Sequence, residues 1–61
     1  MIEVGDLVSW RLSEREEWFA IVLENWTREF SGEEVVLIQW ITGRYVEQKD
    51  FVSMEDLTKV S

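Results

Sequence analysis

Carboxylates are the most numerous reactive side chains in this sequence. Of thirteen Asp and Glu, seven gather at Glu14/Glu16/Glu17, Glu33/Glu34 and Glu55/Asp56, against six Lys and Arg and one tyrosine, Tyr45. Paired acids can hydrolyse a glycoside, but only across a cleft that holds the sugar. A chain of 61 residues buries only roughly 60% of its unfolded surface, which leaves a small core and no room for such a cleft. Histidine and cysteine are both absent. That removes the usual general base near neutral pH, the thiol nucleophile, the disulfide and the commonest metal ligands. Neither a Gly-rich phosphate loop nor a Ser/His/Asp set is present, and no Asp-x-Asp-x-Asp-Gly loop offers a calcium site. The sequence therefore predicts no catalytic residue, no metal and no cofactor. The acidic clusters read as solvated surface, with mimicry of nucleic-acid charge as the sharper reading.

Binding chemistry rests instead on the aromatic and β-branched residues. Four tryptophans, Trp10, Trp18, Trp26 and Trp40, stand in this short chain. Trp10 and Trp40 fall on regular apolar faces and read as core. Trp18 and Trp26 share parity within a stretch that is apolar on both faces, so at least one of them reads as an interface residue. If Val36, Ile38 and Trp40 point inward, then Val35, Leu37 and Ile41 point outward, an apolar stripe of the kind that marks a contact surface. Trp18, Trp26, Phe30 and Tyr45 could contribute to an aromatic cage for a cation, although nothing in the sequence fixes them around one point. The candidate partner-binding residues are Trp18, Trp26, Val35, Leu37 and Tyr45.

The elements that position them divide at Gly5-Asp6, Ser31-Gly32 and Thr42-Gly43. Strict alternation predicts a strand from Asp6 to Leu12, with Val8, Trp10 and Leu12 on one face. A second clear strand runs from Val35 to Ile41, rich in β-branched residues. Gly43 then permits a tight hairpin into an edge strand from Tyr45 to Phe51. Glu16 to Trp26 is ambiguous: Phe19, Val22, Leu23 and Trp26 fit helical spacing, and Ser13-Glu14-Arg15-Glu16 reads as a capping box. Strands on either side favour a strand here, because a meander needs this segment to pair with both neighbours. Ser53 to Leu57 predicts one 3₁₀ turn with Ser53 capping it, and Thr58 to Val60 a short last strand. The expectation is one all-β domain over residues 1–61: a small five-stranded barrel with a 3₁₀ turn before the last strand, closed because open edges are hazardous.

Val4-Gly5-Asp6-Leu7-Val8-x-Trp10 resembles the opening of small SH3-like barrels of the KOW and Tudor type. Ala20-Ile21-Val22-Leu23-Glu24 resembles their second-strand Gly-Ile-Val-Leu-Glu element. Val36-x-Ile38-Gln39-Trp40-x-x-Gly43 resembles their Val-x-Val-x-Trp-x-x-Gly hairpin, and Glu55-Asp56-Leu57-x-x-Val60 the turn into the final strand. These stretches cover most of the chain, and the nearest likeness is to short SH3-like proteins encoded by tailed bacteriophages. Ala20 replaces the usual glycine, and Thr42 the aspartate that commonly precedes the hairpin glycine. The resemblance implies an SH3-like fold and a binding habit; it carries no catalytic residue, because such proteins share a fold and not a chemistry.

Net charge is -7, and the six basic residues are scattered singly, each near an acid. Nucleic acid is disfavoured as a partner, since its binding rests on Lys and Arg at phosphates. The longest apolar run, Trp18 to Leu23, is far shorter than the roughly 18 residues a membrane helix needs. The opening residues lack the basic and apolar regions of a signal peptide, so the expected location is cytoplasmic or within a virion. The expected function is a non-enzymatic protein-binding module. The alternatives are a self-associating structural or virion component and, against its charge, a nucleic-acid-binding barrel.

Overall fold

In the computed structural model, which describes residues 2–60, the alternating stretch after Gly5-Asp6 forms strand β1, Leu7–Arg11. The ambiguous segment is a strand as well: β2 spans Glu17–Thr27. It pairs with β1 from Leu7↔Ile21 to Arg11↔Glu17. The capping-box residues form the connecting turn and start no helix. There the Leu12 and Ser13 N–H groups donate to the Glu16 carbonyl, and the Ser13 hydroxyl accepts the Arg15 N–H. Leu12 lies past the end of β1 and is exposed.

Strand β3, Glu34–Trp40, pairs with β2, and β4, Lys49–Ser53, pairs with β3. After the 3₁₀ turn Met54–Asp56, β5 (Thr58–Lys59) returns to β1. Ser53 holds the position before that turn, but its side chain makes no capping hydrogen bond. The sheet order is β4-β3-β2-β1-β5, all antiparallel. Among the described residues β4 and β5 do not pair with each other. Even so, both ends of the sheet share one core, since Val52 and Met54 pack on the cluster that holds Val8, Val22, Val36, Ile38 and Leu57. One sheet can do this only by curling, as twisted sheets do.

The fourth strand starts later than the Tyr45 to Phe51 expected from composition. Gly43 makes no two-residue hairpin, because the chain folds back on itself after Trp40. The Trp40 N–H donates to the Gln48 carbonyl at 3.0 Å, Glu47 N–H to the Trp40 carbonyl at 2.7 Å, and Gln48 N–H to the Tyr45 carbonyl at 2.9 Å. Glu47 takes a left-handed backbone, φ 71°, a conformation that turns but does not extend. Thr42, where the resemblance expects aspartate, ties this loop to β2: its Oγ1 accepts the Phe19 N–H at 2.9 Å.

At the other edge Asp6 ties the opening turn to β5. Its Oδ2 accepts the Glu3 N–H at 2.8 Å and lies 3.3 Å from Lys59 Nζ. The Glu3 hydrogen bond foremost, helped by Lys59 and opposed by partial burial, holds the Asp6 carboxyl below its ordinary value of 3.8. A depressed acid contributes stability that is full above its ordinary value and lost as pH falls through its folded-state value. Asp6→Asn should therefore lower the urea midpoint at pH 7, and the gap to the parent should close as the pH drops well below 3.8. A gap that stayed constant with pH would show that the Asp6 charge contributes nothing.

Candidate functional site

A single irregularity in β2 decides which side chains face water. The register of β2 on β3 runs Ala20↔Trp40, Ile21↔Gln39, Val22↔Ile38, and then Glu24↔Leu37, Asn25↔Val36, Trp26↔Val35. Leu23 is the extra residue of a β-bulge, and one extra residue reverses the parity of everything beyond it. Trp18, Ala20 and Val22 therefore point into the core, whereas Trp26 points out, opposite Val35.

This corrects the expectation for Trp18. It is only 8% exposed and belongs to the core cluster. Its ring meets Trp10 (centroids 6.0 Å), Trp40 (5.5 Å) and Tyr45 (5.6 Å) edge to face, an arrangement that suits the ring quadrupoles. Tyr45 lies in the loop after β3 and is partly exposed, covering Trp18 from outside. Trp10 and Trp40 are inward, as their alternation predicts, and Trp40 is fully buried. Its Nε1 is the one buried side-chain polar atom found without an acceptor among the described residues. The four rings considered for a cage are not brought together. Trp18 meets Tyr45 edge to face, Trp26 meets Phe51 likewise, and the fully exposed Phe30 makes none of these ring contacts.

The remaining candidates do converge. Val35 and Leu37 share the outer face of β3, and Ile41, just beyond the strand, is exposed. Val35 is nevertheless 7% exposed, which corrects its reading as an open contact residue. It sits between Trp26 across the β2 pair and Phe51 of β4, and these three with Thr27 and Arg28 line a hollow of about 320 Å³. Trp26 is 52% exposed and Phe51 57% exposed, their centroids 6.5 Å apart at 77°. Phe51 is also the register partner of Leu37. The site is thus Trp26, Val35, Leu37 and Phe51 on the outer face of β2–β3–β4.

Phe51 is the member that sequence reasoning missed. Placing the fourth strand at Tyr45 to Phe51 hid its register with Leu37. The signal available was the unbroken Phe51-Val52-Ser53 run leading into the 3₁₀ turn.

The site borders a free sheet edge. Among the described residues β4 has no partner on its far side, and the Phe51 N–H donates to Asp50 Oδ1 at 2.9 Å. A carboxylate on that donor blocks a strand that would pair there, a common protection of sheet edges. Asp50→Ala should leave the fold intact and raise self-association in light scattering at high micromolar concentration. A variant as monomeric as its parent would mean that Asp50 does not guard the edge.

Among the described residues no group of three or more carboxylates is placed to hold a metal ion. Among the same residues no helix is long and apolar enough to cross a membrane. No family model, curated protein or solved structure matches the chain.

Proposed function

We propose that this chain is a non-enzymatic protein-binding module, a small SH3-like barrel of the kind tailed bacteriophages encode, acting in the host cytoplasm or the virion. It docks another protein on the outer face of β2–β3–β4. The observation that carries this reading is Trp26 standing edge to face against Phe51, both rings about half exposed, over the buried Val35. Paired exposed rings around a hollow are what an interface anchor needs: large area, few rotamers and a place for an incoming side chain. Self-association is the second reading, favoured by the unpaired edge of β4. It is opposed by a charge of -7 on every copy and by Asp50 on the Phe51 N–H. Nucleic acid ranks last on the same charge.

The test is capture from nuclease-treated bacterial lysate on three immobilised baits: the parent, Trp26→Ala, and Val60→Ala. Val60 is an exposed apolar residue beside the opposite edge of the sheet, where its N–H donates to the Leu7 carbonyl. The expected result is one protein held in near-equal amounts by the parent and Val60→Ala, and lost from Trp26→Ala. Equal retention on all three baits, or retention seen only when the nuclease is omitted, would contradict the proposal.

A further inference from the structure

We infer that the occupant of this face is a basic protein segment, with an apolar side chain in the Trp26–Val35–Phe51 hollow and a Lys or Arg reaching Glu34 and Glu55. The inference rests on the docking reading above and adds the chemistry of the partner.

A second hollow, about 450 Å³, is lined by Gly32, Glu33, Glu34, Ser53, Met54 and Glu55. It adjoins the apolar one, because Val35 of the first and Ser53 of the second are register partners across β3 and β4. Three acidic residues therefore line the hollow at one end of the ring pair, Glu34 from the first position of β3. Glu33 is matched by this chain's own cation, Arg28, whose Nε donates to Glu33 Oε1 at 3.0 Å. Glu34 and Glu55 have no ion pair or side-chain hydrogen bond among the described residues. None of the six basic residues lines this second hollow.

A partner lying across both hollows takes Glu34 and Glu55 partly out of water. An uncharged or acidic segment would leave these carboxylates partly desolvated and unmatched. A Lys or Arg supplies the missing counter-charge, and its stem can cover the rings while its head meets an acid. A second copy is opposed by the charge of -7 that each copy carries. Phosphate backbones are opposed by it more severely.

The experiment is a selection of random displayed peptides on the immobilised full chain. Enriched peptides are then titrated by fluorescence anisotropy against the parent, the Glu34→Gln/Glu55→Gln double variant, and Trp26→Ala. The glutamines keep size and polarity on exposed positions, so the fold is expected to persist, which a melting curve checks. The expected peptides pair Lys or Arg with an aromatic or aliphatic residue. Their affinity falls roughly three- to tenfold in the double variant, the range for two exposed ion pairs, and the salt dependence flattens with it. Peptides without basic residues that still need Trp26 would overturn the basic occupant and leave the docking face standing. Peptides indifferent to Trp26→Ala would overturn both. Absence of any enrichment would overturn the basic-segment inference.

Discussion

Gly43→Ala is expected to leave the protein largely unfolded at 25 °C. Gly43 has φ +94°, and a Cβ built there would lie 2.5–2.7 Å from three atoms of the Trp18 ring. The left-handed backbone alone costs an alanine about 1–2 kcal/mol. Overpacking against a ring held by Trp10, Trp40 and Tyr45 adds roughly 1–3 kcal/mol, for a total of about 2–5 kcal/mol. A core of this size rarely supplies more than about 3–5 kcal/mol, so the effect rivals the whole. Gly32→Ala is the control: its φ is +71° but nothing lies within 4 Å of the added carbon, so only the backbone cost applies. Urea unfolding of the two variants separates strain from contact. Equal losses would mean that Trp18 moves aside freely, against its placement here.

Trp26→Ala should do the reverse, sparing the fold and weakening binding. Half of this ring is already in water, so its removal costs stability only about 1–2 kcal/mol. As an interface anchor it should contribute at least about 2 kcal/mol, roughly a thirtyfold weakening of partner affinity. Calorimetric titration beside a melting curve reads both quantities. Phe51→Ala should follow it at smaller scale, since it removes the edge-to-face contact that holds Trp26 upright. A Trp26→Ala protein that binds as the parent does would remove the ring pair from the interface.

Both predictions turn on features that periodicity shows only in part. Val8, Val36, Ile38 and Trp40 lie on the inner face because alternation marks inward positions wherever a strand is regular. The order of strands followed from turn residues and from the need of β2 to pair on both sides. Trp18 and Trp26 diverge because Leu23 bulges, and a bulge inside an all-apolar run leaves no trace in alternation. The start of β4 was equally hidden: Tyr45 and Val46 look like strand residues, but hydrogen bonds from Trp40 to Gln48 and from Glu47 to Trp40 keep them in a loop. Of the five residues singled out for binding, Trp26, Val35 and Leu37 share the outer face. Trp18 belongs to the core, and the exposed Tyr45 covers it from the loop after β3. Thr42 shows the opposite case, a departure from the expected pattern whose hydroxyl takes over a ladder-like role at Phe19.

The central claim is that the outer face of β2–β3–β4 is where this protein meets its partner. The most direct measurement is an amide chemical-shift map of the isotope-labelled chain, titrated with the captured protein or a selected peptide. The account predicts shifts at Trp26, Thr27, Leu37, Phe51 and Ser53, with β1 and β5 silent. Shifts confined to the Tyr45–Gln48 loop, or to the β1–β5 side of the sheet, would contradict it.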